Sequence, residues 1–374
     1  MKLTPFKLER YFAEHEFTAR YLLCSSDPES MSVSELLAYE PGSSEGLEQT
    51  WLGYTEYPGA PALRAELAKQ LYTLTGADQI IVHTGAQEAI YSFMNTMFAP
   101  GDHLIVHMPG YQSHYSIAQD RGLAVTPWMA RESAGWSLDL DELTQLLRPE
   151  TKALVVCFPH NPTGYLPSAD QFNAIIDFAR HHNLLLFSDE VYRGLELDPA
   201  QRLPAACDVY ERAISLGALA KSHGLAGLRI GWIATRDREV LQRMSTFKDY
   251  LTISNSAPSE YLATIAVRHT AAMTRRATDI TRANLQLLDA FFARHEKTFE
   301  WRKPRAGTIA FPRLKNTSAH EFCERLLKQT GVLLLPSTLL DHGDANFRIG
   351  FGRKNLPQIL PMVDDYLKNL GGAR

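Results

Sequence analysis

The sequence is poor in cysteine: its 374 residues carry only Cys24, Cys157, Cys207 and Cys323, far apart and with no CxxC pair. That argues against a disulfide framework, a zinc knuckle or a dithiol redox motif, and reduced core thiols of a cytoplasmic protein are expected. Thirteen histidines are present, but none belongs to an HExxH motif or a Cys/His cluster. His103 and His107 flank an apolar strand and His181 and His182 close a helix, so no metal is expected. No apolar run approaches the length of a membrane span, and the first ten residues mix charges without a signal-peptide core. Charge of one sign is lacking too. Lys and Arg number 38 against 42 Asp and Glu, for a net charge of −4. With no run of like charge, neither a nucleic-acid nor an anionic-membrane partner is expected. No GxGxxG follows a strand, which argues against a nicotinamide dehydrogenase.

What is present is an ordinary globular composition, 45% hydrophobic and 21% charged, in a chain long enough for two domains. Residues 8–21 read as a helix and residues 24–30, Cys-Ser-Ser-Asp-Pro-Glu-Ser, as irregular. From about Gly53 short apolar strands alternate with helices. Strands are expected at 79–83, 103–107, 153–158, 184–188 and 213–216, and helices at 62–73, 86–97, 111–121 and 168–181. Uninterrupted apolar strands separated by helices predict an α/β fold with a mostly parallel sheet covered on both faces. Beyond about Ser259 the chain reads as mostly helical, with strands at 308–312, 332–335 and 347–351. This predicts a smaller α+β lobe. The expected division is a large domain over 41–270, with 1–40 and 271–374 forming the small one.

In an open α/β sheet, ligands bind beyond the carboxyl ends of the strands, and the distinctive polar residues follow those ends here. Gly85-Ala86-Gln87 opens a helix whose free N–H groups and dipole suit a phosphate. Pro159-His-Asn161-Pro-Thr-Gly164 makes a rigid turn that can aim the Asn161 amide. Asp189 ends another strand, with Tyr192 three residues on. A fourth leads into Ser215-Leu-Gly-Ala-Leu-Ala-Lys221-Ser-His-Gly-Leu-Ala-Gly-Leu-Arg229-Ile-Gly231. A lone lysine among small uncharged residues reads either as a loop lysine reaching water or as a desolvated amine. Desolvation lowers its pKa from about 10.4 and frees a neutral amine for Schiff-base chemistry.

Together, the Asn-Pro-Thr-Gly turn, Asp189-x-x-Tyr192 and Lys221 with Gly-Leu-Arg229-Ile-Gly resemble the class I/II aminotransferases. These are fold-type-I enzymes using pyridoxal 5′-phosphate (PLP). The resemblance runs from about Gly53 to Arg353. It implies a PLP-dependent aminotransferase acting on an amino acid and a 2-oxo acid. Lys221 would hold PLP as an imine and act as base and acid at the substrate Cα. Asp189 would pair with the pyridine nitrogen, and Asn161 and Tyr192 would bond the 3′ oxygen. Tyr111 would stack on the ring, and Gly85, Ala86, Gln87 and Arg229 would hold the phosphate. Tyr54 resembles the tyrosine that reaches the phosphate of the other subunit, which implies a homodimer with shared active sites. Arg348, in Asn-Phe-Arg-Ile-Gly, would clamp the substrate α-carboxylate with two parallel hydrogen bonds, with Asn161 beside it.

Two departures stand out. Ala218 replaces a serine that many members use as a phosphate donor; either Ser222 or Ser215 compensates, or the phosphate has one donor fewer. The segment 24–30 also replaces the family's glycine-containing substrate stretch. Such segments resemble those of relatives that process arginine-like amino acids, capreomycidine synthase among them, and Asp27 or Glu29 would suit a cationic side chain. A β-lyase, a decarboxylase or an arginine oxidase/cyclase would use the same cofactor-holding residues. A PLP-sensing regulator would need a DNA-binding domain before the core, for which some fifty residues are too few.

Overall fold

Seven short strands form the central sheet of the structure, a computed structural model that describes residues 3–371. They are β1 (Ile80–His83), β2 (His103–Met108), β3 (Ala124–Met129), β4 (Thr151–Cys157), β5 (Leu185–Asp189), β6 (Ala213–Ala218) and β7 (Gly231–Thr235). Their order across the sheet is β1-β7-β6-β5-β4-β2-β3. All neighbours run parallel except β7, which is antiparallel to both β1 and β6.

The uninterrupted apolar runs follow from burial on both faces. Leu104, Val106, Val155 and Phe187 pack with Phe93 of helix Ala86–Thr96 on one side. Ile105, Leu154, Val156 and Leu186 pack with Phe172 and Ile176 of helix Ala169–His181 on the other. Each such buried side chain contributes about 1.5–3 kcal/mol relative to exposure. Strands with no polar face cannot sit on a half-solvated sheet.

A second apolar cluster joins Leu285 and Phe292 of helix Thr270–Arg294 to Phe322, Val332, Phe347, Ile359 and Leu23. It covers a three-stranded sheet in which Phe347–Gly350 lies between Ile309–Ala310 and Leu335–Pro336. No helix among the described residues is long and apolar enough to cross a membrane.

The structure differs from the sequence reading in several places, and it adds helices Leu140–Leu146 and Arg238–Lys248, for which no helix is expected. The first helix covers only Lys7–His15, because Tyr21–Leu22 instead pairs in parallel with Val332–Leu333. The expected 111–121 helix is a 3-10 turn, Gln112–His114, and a short helix, Ser116–Asp120, separated by Tyr115 at φ −130°. Strand β3 has no clear sequence signal, because Pro127 reads as a breaker. It is tolerated because β3 is an edge strand whose second side faces no partner. Of the C-terminal strands, 308–312 shrinks to Ile309–Ala310 and 347–351 to Phe347–Gly350, while 332–335 splits into Val332–Leu333, paired with Tyr21–Leu22, and Leu335–Pro336, paired with Phe347 and Arg348.

The carboxyl ends of β1 and β6 meet the start of β7, where Gly231 stands opposite both His83 and Ala218. A Cβ on Gly231 would lie 2.6 Å from the Ala86 nitrogen and 2.6 Å from the Gly85 carbonyl carbon, which are rigid backbone. Gly231→Ala is therefore expected to destabilise the fold by about 1–3 kcal/mol. Equilibrium denaturation of the cofactor-free protein checks this, and an unchanged midpoint would refute the close approach.

Candidate active site

A cavity of about 430 Å³ opens at the carboxyl edge of the sheet. Lys221, Asp189, Tyr192, Asn161, Gly85, Ala86, Gln87, Tyr111, Arg229 and Arg348 all line it. Tyr54 does not: its side chain is 82% exposed on the single chain.

The loop from β6 to β7 carries Lys221 and Arg229. The Lys221 amine donates a hydrogen bond to Ser26 Oγ at 2.8 Å. Burial pushes this amine below the usual lysine range; Arg348 adds to the shift, while Asp27 and Asp189 oppose it. Arg229 takes a left-handed conformation, φ +54°, and Nη1 donates to the Ala226 carbonyl at 3.0 Å. That turn lays the guanidinium against Gly85, where a Cβ would come within 2.5 Å of Nη2. A basic group thus faces the first N–H groups of helix Ala86–Thr96. The Gln87 side chain is spent on a reciprocal pair with Ser113, at 2.7 and 2.9 Å. What it offers an anion is therefore its backbone N–H.

Asp189 ends β5 and is buried. His114 Nε2 lies 3.0 Å from Oδ2, and the Val191 N–H donates to Oδ1 at 3.1 Å. Tyr192 follows in the turn after β5. Its hydroxyl is buried with no hydrogen-bond partner, and burial raises its pKa. Ser26 is near enough to affect that hydroxyl but not in bonding geometry. The Tyr111 ring packs 5.1 Å from Phe6 and 5.8 Å from His114, and its hydroxyl donates to Glu9 at 3.4 Å.

Arg348 reaches the cavity from the small lobe and is only 1% exposed. Nε donates to the Cys24 carbonyl at 3.1 Å and Nη1 to Asn161 Oδ1 at 3.4 Å. Nη2 has no partner. A buried guanidinium with an unused donor is an anion site in waiting.

The departures now have structural readings. Ser215 is spent on Glu190 and the Cys207 N–H, and Ser222 pairs with His223 away from the cavity. Neither replaces the hydroxyl absent at Ala218. Of the two acids in segment 24–30, Asp27 lines the cavity and pairs with Arg353 at 2.8 Å. Glu29 does not line it, because its carboxylate accepts the Lys354 N–H at 2.9 Å. The structure adds Ser26, His114, Glu9, Phe12 and Glu16. Only His114 had a sequence signal, three residues after Tyr111 in one turn; the others come from a helix and a segment with no motif.

The sequence profile of the family described as aminotransferase class I and II matches residues 21–359. The chain belongs to the class I and II aminotransferases. Capreomycidine synthase of Streptomyces vinaceus is 32% identical over 96% of this chain and 93% of its own. The arginine–pyruvate transaminase AruH of Pseudomonas aeruginosa is 32% identical over 48% of this chain and 47% of its own. Among solved structures, a PLP-dependent aminotransferase from Streptococcus suis superposes with a TM-score of 0.92 at 29% identity, covering 99% of both chains. The PLP-dependent cyclase OrfR reaches 0.91 at 26% identity, covering 99% of this chain and 98% of its own. This aminotransferase fold places Asp189, Lys221 and Arg348 around one cavity.

The buried, unpartnered Tyr192 hydroxyl makes two opposite effects testable. An unsatisfied buried donor costs about 1–3 kcal/mol. Tyr192→Phe should therefore leave the cofactor-free protein as stable or more stable, while weakening its retention of PLP. Paired denaturation and PLP titration check this. Loss of stability without loss of PLP affinity would show the hydroxyl to be structural.

Proposed function

We propose that this aminotransferase moves an amino group from an amino acid to a 2-oxo acid at the Lys221 cavity, with PLP held there. Three observations support the fit of PLP. The Tyr192 hydroxyl is buried with no partner. Gly85 leaves a cradle against Arg229 that a Cβ would fill. The carboxylate of Asp189 is fixed by His114 and the Val191 N–H. When bound, PLP supplies an electron sink for negative charge developing at the substrate Cα.

The single observation that carries the reading is the desolvated Lys221 amine in one cavity with Asp189 and Arg348. Lys221 Nζ would hold PLP covalently, would be freed when the substrate amine takes its place, and would then take the proton from the substrate Cα and deliver it to the cofactor. Asp189 would keep the ring nitrogen protonated, with His114 orienting the carboxylate. Asn161 and Tyr192 would bond the 3′ oxygen, and Tyr111 would cover one face and exclude water. Gly85, Ala86, Gln87 and Arg229 would hold the phosphate, with one hydroxyl donor fewer than many relatives. Arg348 would take the α-carboxylate through its free Nη2, with Asn161 beside it.

The working unit of this reading is a homodimer. Trp51, Leu52 and Tyr54 are 78%, 79% and 82% exposed in the single chain, an apolar patch that suits a second copy. Tyr54 would then reach the partner's phosphate site. The domains are taken as 41–270, and 1–40 with 271–374. One observation favours a second reading, an oxidase or cyclase with the same cofactor residues. The relatives named as capreomycidine synthase and cyclase OrfR align along almost the whole chain.

Three experiments test these readings. With ¹⁵N-labelled donor, label should appear in the amino acid formed from the 2-oxo acid. Release of ammonia or CO2 without that product would favour a lyase or a decarboxylase, and a cyclised or oxidised amino acid that keeps the label would favour the second reading. Lys221→Ala should lose turnover by several orders of magnitude and carry no cofactor after borohydride reduction; a cofactor still fixed by reduction refutes the assignment. Neither Tyr54→Ala nor Lys221→Ala alone should be active, but mixing them should restore activity through hybrid dimers. No recovery on subunit exchange would rule out shared sites.

A further inference from the structure

The N-terminal helix turns an unexpected face toward the cavity. Leu8, Glu9, Phe12 and the capping residue Glu16 recur at helical spacing and all line it. Glu9 is exposed and Glu16 half-buried, so this face places two carboxylates at the rim of the cavity. Asp27, a third acid in the cavity, is already paired with Arg353. Glu16 has no side-chain hydrogen bond or ion pair among the described residues, and Glu9 only the long contact from Tyr111. Burial, reinforced by Asp27, raises the Glu16 carboxyl above its ordinary range, whereas Arg353 and Lys221 oppose the shift. Asp27 and Glu9 disfavour the charged form of Glu16, and a cation beside it would favour that form.

A second, independent feature of the same cavity points to a ligand. Arg348 is buried with Nη2 unpartnered, so the cavity also binds an anion. Its guanidinium carbon lies 5.9 Å from the centre of the Phe12 ring. Glu9 and Glu16 flank Phe12 by one turn on either side, and such neighbours lie about 5–6 Å apart. An α-carboxylate at Arg348 would therefore leave the glutamates within reach of the end of a long side chain.

We propose that Glu9 and Glu16 form the side-chain subsite of this cavity, and that the amino acid it takes ends in a cation, a guanidinium or an ammonium group. This rests on the reading that the cavity takes an amino acid by its carboxylate at Arg348. The test uses the PLP-loaded enzyme and the absorbance change of the cofactor on adding amino acid, which reports binding whichever bond later breaks. The probes are arginine, lysine, norleucine (the neutral counterpart of lysine) and glutamate. Lysine or arginine should bind about fivefold more tightly than norleucine, the worth of one solvent-exposed ion pair. Glu9→Gln and Glu16→Gln should each shrink that ratio, and Glu16→Arg should reverse it in favour of glutamate. A wild-type preference for norleucine or glutamate overturns the subsite but leaves the amino-acid reading standing. So does an equal loss for lysine and norleucine in the Gln variants. If no amino acid alters the absorbance, the amino-acid reading falls and the subsite falls with it.

Discussion

The register of the parallel strands is the constraint on which the cavity depends. Cys157, Asp189 and Leu216 stand side by side across β4, β5 and β6, so β4 and β5 end at one level and β6 runs two residues further. A slip of one residue would turn Asp189 to the other face of the sheet and exchange Leu186 with Phe187 between two differently shaped layers. The register is thus fixed by packing on both faces, far from any polar chemistry. The antiparallel β7 adds the second condition. Because Ala218 pairs with Gly231, residues 219–230 leave and re-enter the sheet at one edge. Lys221 and Arg229 arise from the two ends of that single loop. The glycine at 231 then lets the loop close on Gly85 and Ala86.

Polar groups buried elsewhere show what the cavity withholds. Asp208 accepts the N–H groups of Thr73 and Leu74 at 2.8 and 2.9 Å, and Glu190 accepts from the Ala206 N–H and Ser215, each at 2.8 Å. Unpaired buried atoms occur elsewhere too, on His83, His107, His160, Ser92, Ser188, Glu260, Arg302 and Tyr366; His107 stacks on His160 at 3.8 Å, and burial lowers the pKa of both. Around the cavity a tyrosine hydroxyl and a guanidinium nitrogen are left without partners. Arg229 is also held in a left-handed conformation. Each such feature costs about 1–3 kcal/mol and persists only where the surrounding packing imposes it. The apolar layers on either face of the sheet supply that packing, so the cavity can hold donors ready for a ligand.

Much of this arrangement is legible in the sequence because strand-end chemistry is local. An apolar strand followed by Gly85-Ala86, by the Asn161 turn, by Asp189 or by the Lys221 loop is read from a few consecutive residues, and the topology rule says where they meet. The edge strand β3 is not legible, because a proline and half-exposed positions dilute its apolar pattern. Nor is the end of the first helix, which is decided by pairing between Tyr21–Leu22 and residues more than three hundred positions away. His114 is half legible: its spacing from Tyr111 suggests one turn, but nothing local points it at Asp189. Ser26, Glu9 and Glu16 are set entirely by how the N-terminal arm lies across the cavity, which no local pattern encodes.

That arm is fastened both to the C-terminal lobe and to the chain that follows β2, where Gln112 Oε1 accepts the Lys7 N–H at 2.9 Å and Asp120 Oδ2 accepts the Thr4 N–H at 2.7 Å. Arg348 holds the Cys24 carbonyl, and Thr308 Oγ1 donates to the Ser26 carbonyl at 2.7 Å. Gly350 and Gly352 admit the backbone of Ser25 and Pro28 so closely that a Cβ would lie 2.1 and 2.8 Å from it. Arg348 and the segment from Cys24 to Pro28 are thereby held together. Asp189 and Lys221 are carried by the sheet. A substitution on the helix face can alter which side chain is accepted without disturbing the register that places Asp189. A substitution among the strand ends alters every reaction the cavity could perform. Such a division of labour would let chains of one fold carry names as different as synthase and cyclase.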